Sequence, residues 1–349
     1  MKKIVMIALV ALTFVACEKE IEVDIEGTDP KVVVHSLNEV GRPVSLHLTY
    51  SRPVFSTFYV PTGSSYFEEV DNATVNLTVN GTDVGTAVRD GGTYSFGYVP
   101  SEGDQLDLRV VVPGEDPITA SAIVPSRPVV KGVDVKYLEN SETDEYDYDY
   151  DHDVDIRLTL MDKAATTDFY SIRVYEYDTG FYTYYDSLGN IERYDTTVLN
   201  YYYDNGRPRE IECSDYQIID ANMDIDDIFG MEPGEDMSFF GSTLYFTDGN
   251  INGTEHPIKL SSYLQYKPEF RRHSNEYVSD EEIKVWVCIE VTAYSRDMYL
   301  YGRTTDNYQS DELLGLFGEP VQIHSNINGG IGVFGVSSKT MVKIKMTNE

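Results

Sequence analysis

Thr74-Val75-Asn76-Leu77-Thr78-Val79-Asn80-Gly81 is the stretch that decides the fold. Val75, Leu77 and Val79 alternate with polar neighbours, and a period of two turns one side of an extended strand toward a core. Asn80-Gly81 then supplies the pair of residues that tolerates positive φ in a two-residue hairpin turn. The same grammar continues outward. Leu106, Leu108 and Val110 alternate with Asp107 and Arg109, and Ile118, Ala120 and Ala122 do so more weakly. Asp90-Gly91-Gly92 and Pro113-Gly114-Glu115 punctuate these runs as turns. No helical period interrupts residues 31–126, so the spacing predicts an immunoglobulin-like β-sandwich there.

Pro125-Ser126-Arg127-Pro128 carries two prolines in four residues, which stiffens a linker. Beyond it, residues 133–349 read as a second β-rich domain. Val154, Ile156, Leu158 and Leu160 alternate with polar residues, Phe169 to Tyr177 continues in the same style, and Ile283 to Val291 forms a clear strand. Residues 181–203 form an aromatic hairpin with Asp186-Ser187-Leu188-Gly189-Asn190 near its tip. One helix is expected near 295–309. Ser295 can cap it, Asp297 meets the positive end of its dipole, and Met298, Tyr301, Thr305 and Tyr308 share a face. Gly302 counts against that helix. Two strands near Val321–Ile323 and Ile331–Val336, joined by Asn328-Gly329-Gly330, are expected to close the chain. The fold class is therefore mainly β, with a sandwich first and a second β-rich domain carrying the long hairpin and one helix.

The first residues have a different character. Lys2 and Lys3 precede a twelve-residue apolar run, Ile4 to Val15, and then Ala16-Cys17. This is a charged start, an apolar segment too short to span a bilayer, and a cleavage site. Phe14-Val15-Ala16-Cys17 resembles a bacterial lipobox, with Phe14 where leucine is usual. On that reading residues 1–16 are a lipoprotein signal peptide and Cys17 becomes the lipidated N-terminus, with palmitate among its acyl chains. The alternative is an ordinary secretory leader cut elsewhere. Glu18, Glu20, Glu22, Asp24 and Glu26 make residues 17–30 an acidic tether. Acids close behind a lipidated cysteine resemble the signal that sends Bacteroidetes lipoproteins to the outer face of the outer membrane. That face is the expected location.

Formal charge is −32, and losing Lys2 and Lys3 with the leader takes it near −34. Nucleic acid needs a basic face and none is visible, so that partner class is excluded. The same charge repels an anionic lipid surface. Besides Cys17 there are Cys213 and Cys288. They form either two buried thiols or, in an oxidising envelope, one disulfide.

Nothing in the motifs points to catalysis. There is no Walker loop, no Gly-x-Ser-x-Gly, no His-Glu-x-x-His and no Cys-x-x-Cys pair. The expectation is a non-enzyme with no catalytic residues and no bound organic cofactor. His35, His47, His152, His256, His273 and His324 are scattered, none three or four residues from another, which leaves only a non-local histidine site open.

The densest candidate is Asp147, Asp149, Asp151, Asp153 and Asp155, which share one face of an extended chain. Five carboxylates in a row either stay solvated, hold a hard cation such as Ca²⁺, or dock a partner. An EF-hand is ruled out because His152 and Leu158 stand where that loop needs glycine and glutamate. Asp220, Asp224, Asp226 and Asp227 pose the same choice. Met223, Met231 and Met237 nearby are either gap-fillers or soft ligands for Cu(I). Tyr182, Tyr184, Tyr185, Tyr194, Tyr201, Tyr202 and Tyr203 make the hairpin either a packed element or a contact surface for a partner or ligand. Asp186-Ser187-Leu188 and Asp195-Thr196-Thr197 also resemble the Bacteroidetes O-glycosylation sequon, which would keep them in solvent.

Several stretches together resemble the Bacteroidetes lipoproteins of the domain-of-unknown-function 4249 family. They are Cys17-Glu18-Lys19-Glu20-Ile21, Lys31-Val32-Val33-Val34, Asn72-Ala73-Thr74-Val75 before Asn80-Gly81, and Gly92-Thr93-Tyr94. Further along, Phe169-Tyr170 follows a strand ending in Asp162, and Tyr245-Phe246-Thr247-Asp248 precedes Asn252-Gly253. Most specific is Glu319-Pro320-Val321-Gln322-Ile323-His324-Ser325-Asn326-Ile327 running into Gly329-Gly330-Ile331-Gly332-Val333-Phe334-Gly335. The resemblance implies a cell-envelope lipoprotein that acts beside a TonB-dependent outer-membrane transporter as an accessory or binding subunit in nutrient uptake. It implies no catalytic residues. A free-standing surface lipoprotein that binds calcium, glycan or peptide is the alternative.

Overall fold

The computed structural model describes residues 29–52, 67–138, 152–164, 166–185, 191–196, 211–212, 217–218, 244–249, 251–264, 284–314 and 322–345. The opening hairpin forms as read. β3 (Thr74–Val79) runs into Asn80 at φ 50° and Gly81 at φ 78°, and Val79 pairs with Thr82 at the start of β4 (Thr82–Thr86). Val75, Leu77 and Val79 are buried, while their alternating neighbours face outward.

Eighteen strands and one helix are described. The N-terminal strands are β1 (Val32–Glu39), β2 (Ser45–Tyr50), the β3–β4 hairpin, β5 (Val88–Asp90), β6 (Thr93–Ser95), β7 (Gln105–Val111) and β8 (Ile118–Ile123). Then follow β9 (Val129–Leu138), β10 (His152–Met161), β11 (Phe169–Tyr185), β12 (Ile191–Thr196), β13 (Ile211–Glu212), β14 (Gln217–Ile218), β15 (Leu244–Thr247), β16 (Glu255–Leu264) and β17 (Lys284–Tyr294). The helix α1 (Arg296–Leu314) and the last strand, β18 (Ile331–Lys345), complete the chain. Among the described residues no helix is long and apolar enough to cross a membrane.

The strands form one large sheet and two small ones. The large sheet runs β12-β11-β17-β18-β1-β2-β6-β5, with β13 and β15 also paired to β11. The small sheets run β4-β3-β7-β8 and β14-β16-β10-β9. Each small sheet buries its apolar face on a different part of the large one. The first core gathers Val34, Leu46, Leu77, Leu106, Val110 and Ile118 with Ile327, Phe334 and Val336 from the far end of the chain. The second gathers Ile156, Leu158, Leu160, Ile172, Val174, Ile258, Val287, Ile289 and Val291.

β18 joins these two halves. Its first part pairs in parallel with β1, Val33 to Ile331 through Glu39 to Ser337. Its second part pairs antiparallel with β17, Tyr294 to Ser337 through Trp286 to Lys345. The closing strand is longer than the sequence suggested, because Met341-Val342-Lys343-Ile344-Lys345 keeps the period of two. Of the expected strand near Val321–Ile323, Val321 lies outside the described residues, and residues 322 and 323 are not in a strand. Residues 322–327 are irregular, and the isolated bridge between Asn328 and Thr119, with the Asn326 amide donating to the Ser121 carbonyl, ties this segment to β8.

Close approach explains the glycines of this region. Gly332 sits at φ 109°, and a β-carbon there would lie 2.1 Å from the Val34 carbonyl oxygen on β1. A β-carbon at Gly335 would lie 2.5 Å from Cβ of Met298, so the helix rests directly on β18. Buried Asn38 crosslinks the three central strands. Its amide donates to Ser36 Oγ and to the Gly335 carbonyl, and its Oδ1 accepts from the Ser45 N–H. At the same C-terminal end of β1, Lys339 reaches both Glu39 (3.2 Å) and Glu290 (3.4 Å), bridging β18 to both of its neighbours.

The helix forms where expected and extends to Leu314. Ser295 occupies the cap position, and its carbonyl accepts the Tyr299 N–H. Its hydroxyl, however, accepts the Val336 N–H rather than a helix N–H, so the residue fastens the helix to β18. Tyr299 is the largest fully buried side chain among the described residues, packed against Phe169 and Tyr245. Gly302 stays in the helix because the Tyr245 hydroxyl comes within 3.0 Å of where its β-carbon would be.

Gly332→Ala is expected to destabilise the protein by about 3 kcal/mol or more, combining positive φ with a backbone clash that neither strand can relieve. Gly81→Ala, at φ 78° with nothing within 4 Å, should lose only about 1 kcal/mol. Urea unfolding of both variants checks the ranking. Equal losses would show that the β1–β18 contact does not hold the fold.

Candidate functional site

Two loops on the second part of the molecule bring three carboxylates together. Asp162 follows β10, Asp168 precedes β11 and Asp248 follows β15. One oxygen from each lies within 4.8 Å of the others. The sequence brings them there through ordinary connections, the β10–β11 loop and the β15–β16 loop. Gly253, at φ 72°, lets the second loop press on the first, since a β-carbon there would lie 2.8 Å from Cβ of Ala164.

Each carboxylate is held by hydrogen bonds. Asp162 accepts from the Tyr170 hydroxyl (2.8 Å) and from the Gly253 N–H (2.8 Å). Asp168 accepts from the Thr166 hydroxyl (2.7 Å), and Asp248 accepts from the Asn252 amide (3.1 Å). Asn252 also donates to the Thr166 carbonyl, and the Asp248 N–H donates to the Asp168 carbonyl. The hydrogen bonds leave one oxygen of Asp168 and one of Asp248 available among the described residues. Asp248 is only 1% exposed.

Burial is the first cause that raises the carboxyl pKa of both Asp168 and Asp248. The Asp162 charge raises both further, and Asp168 adds to the effect on Asp248. Lys163 opposes this at Asp168, but its ammonium also bonds the Ser126 hydroxyl. Burial also pushes the Tyr170 phenol far up, and its bond to Asp162 adds to that, so it stays a donor. Like charges drawn into a poorly solvated loop cluster repel unless a proton or a cation joins them. The donor set is oxygen only, which suits a hard cation such as Ca²⁺ and not a soft metal.

The sequence reading placed its acidic site elsewhere. Asp147, Asp149 and Asp151 lie outside the described residues, as do Tyr201, Tyr202, Tyr203, Cys17 and Cys213. Asp153 and Asp155 lie on β10, with Asp155 opposite Lys136 of β9. Tyr182, Tyr184 and Tyr185 end β11, and Tyr194 on β12 pairs directly with Tyr182. The expected hairpin is thus a continuation of β11 rather than a separate element. Cys288 is buried on β17. Asp162, Asp168 and Asp248 were not singled out as a site, yet Asp162, Tyr170, Asp248, Asn252 and Gly253 all sit in stretches that carried the family resemblance. Their shared place in those stretches is the signal that the sequence offers.

The C-terminal motif turns out to be architectural. His324 Nε2 lies 2.9 Å from the Asp297 carboxylate in the first turn of α1, and its N–H donates to Thr304. Asn326 exchanges two hydrogen bonds with the Phe334 backbone. His35 and His47 face each other across β1 and β2. Partial burial lowers the His35 pKa, and His47 beside it lowers it further.

Fold and site together define a mainly β protein of one shared sheet and two packed partners, with a carboxylate-lined loop cluster at the edge of the second core. The family model described as Domain of unknown function (DUF4249) matches residues 18–343, and the chain belongs to that family. No curated protein matches it.

The raised pKa values of Asp168 and Asp248 fix the sign of a pH effect. The folded state holds protons that the unfolded chain releases, so the cluster lowers stability as pH rises from about 4 through the folded values. In chelator, Asp248→Asn should flatten that decline and gain about 1 kcal/mol at pH 7. Urea midpoints measured across pH 4 to 8 check this. A steeper decline in the variant would show that the aspartates do not repel.

Proposed function

We propose that this chain is a non-catalytic, lipid-anchored binding subunit at the outer face of the outer membrane, working with a TonB-dependent transporter in nutrient capture, gating or docking. The observation that carries this reading is the extent of the family match. It starts at residue 18, directly behind the Cys17 of the lipobox-like leader, and runs through β18. The family unit thus coincides with what would remain after lipidation at Cys17. The acidic tether and the net charge of −32 support a body held off an anionic bilayer. The transporter would supply energy and this subunit recognition.

The second reading, a free-standing surface lipoprotein that binds calcium, has the Asp162–Asp168–Asp248 cluster in its favour. There Ca²⁺ would replace the repulsion among three carboxylates with coordination and pin the two loops together.

Purification of the full chain through a C-terminal tag, from its own outer membrane in mild detergent, tests the first reading. The expected result is one TonB-dependent barrel per chain. Recovery of the intact chain alone overturns it. A Ca²⁺ titration tests the second. Ca²⁺ at a hundred times its Kd should add about 2.7 kcal/mol to stability. Asp162→Asn and Asp248→Asn should each remove that gain. No shift in the unfolding midpoint at millimolar Ca²⁺ rejects the calcium site.

A further inference from the structure

The outer face of the large sheet, on the side away from both small sheets, carries the second feature with coordination chemistry. β1 and β2 place His35 directly opposite His47. Alternation along β1 points Val34 and Ser36 inward, buried, and leaves His35 and Leu37 on the accessible side. On β2, Leu46 and Leu48 go inward and His47 goes outward. Side chains directly opposed on antiparallel strands have Cβ atoms about 5 Å apart. That spacing lets two imidazole nitrogens converge on one ion at about 2.0–2.1 Å each.

The surroundings favour an ion over two idle rings. Tyr301 of α1 closes one side, its ring edge-on to His35 with centroids 6.4 Å apart. On the other side the Thr93 hydroxyl lies 3.5 Å from His47 Nε2, at the limit of a hydrogen bond. Among the described residues, neither nitrogen of His35 has a hydrogen-bond partner. Both strands belong to the centre of a wide sheet, so the pair is held by backbone pairing on each side and not by a loop. The chain's charge of −32 raises the local concentration of any cation. Of its six histidines, two stand face to face.

We propose that His35 and His47 form a two-imidazole site for a divalent late transition metal ion, on the open sheet face beside α1. Nitrogen ligands of this kind suit Cu²⁺, Ni²⁺ and Zn²⁺, and Cu²⁺ binds tightest in the usual order. The aspartate cluster is the one group of three or more potential ligands among the described residues, and it does not include either histidine. Among the described residues no third ligand joins the two histidines, so the remaining coordination positions would be filled by water and open to exchange. This makes it a capture site rather than a closed structural one. The site is independent of the calcium reading, since it uses different residues, donors and ions.

Cu²⁺ titration of the full-length protein in detergent at pH 7.5, with excess Ca²⁺ present to occupy carboxylates, tests it by electron paramagnetic resonance. The expected spectrum at one equivalent shows hyperfine splitting from two nitrogen ligands. His35→Gln and His47→Gln should each abolish the two-nitrogen pattern and weaken binding at least tenfold. His324→Gln should change neither. Both test substitutions sit on the accessible face, and their unfolding midpoints in chelator should match wild type. An oxygen-only spectrum for wild type at one equivalent overturns the proposal without recourse to any variant. Survival of the two-nitrogen pattern in the His35→Gln/His47→Gln double variant overturns it equally.

Discussion

The structure depends on one pairing, the parallel contact of β1 with β18. It joins residues almost three hundred positions apart. Without it the first sandwich lacks Phe334 and Val336, and the large sheet divides between β18 and β1. Parallel strands that approach this closely need backbone without side chains in the way, which Gly332 provides at φ 109° beneath the Val34 carbonyl. Burial on both faces then follows. Residues 333–338 are buried throughout, with one core on one side and α1 on the other. Such a strand cannot alternate in hydrophobicity, and Val333-Phe334-Gly335-Val336 does not. Asn38, Ser295 and Asn326 are the polar residues spent on holding it. Each bonds a backbone group of β18.

The same physics explains what was legible in the sequence. The β3–β4 hairpin, the alternating strands β7 and β10, and the long arm of β11 carry their signal within a few residues, in a period of two and in turn chemistry, even where the pairing partner is distant, as β16 is for β10. The start of α1 was legible from Ser295 and Asp297, although Ser295 uses its hydroxyl on β18. The closing region was read less well. Val321–Ile323 looks like a strand by composition, but the described residues that follow are held by His324 to Asp297 and Thr304, contacts that no local pattern displays. Gly302, which counts against a helix in isolation, is explained by the ring of Tyr245 from a strand more than fifty residues away.

The candidate site was harder still. Asp162 and Asp168 close one loop and Asp248 opens another, 80 residues further on in sequence. Each alone looks like an ordinary turn aspartate, since turns favour that residue for its local hydrogen bonds. The denser run at 147–155 attracted attention because charge density is visible in one dimension and convergence is not. Solvated carboxylates tolerate each other, whereas Asp248 at 1% exposure beside Asp162 and Asp168 does not do so without compensation. What marks the buried cluster in sequence is an aspartate at a strand end, in a loop that also holds a residue such as Gly253 that needs close packing.

The sheet also limits where a partner can bind. One face of the large sheet is spent on both small sheets, and α1 covers the other face over β18. Among the described residues this leaves the outer side of β1, β2, β6 and β5 as the accessible sheet surface, bearing His35, His47, Thr93 and the exposed Leu37 and Val88. The exposed apolar residues of this face, Leu37 on β1 and Val88 on β5, stand three strands apart, so shape and hydrophobicity alone would bind a macromolecule weakly there. Coordination does not need apolar area. A metal ion on His35 and His47 would concentrate its binding energy at one point, and a ligand atom from outside could take an exchangeable position. The feature that makes this face a poor protein interface is thus compatible with its being a selective one.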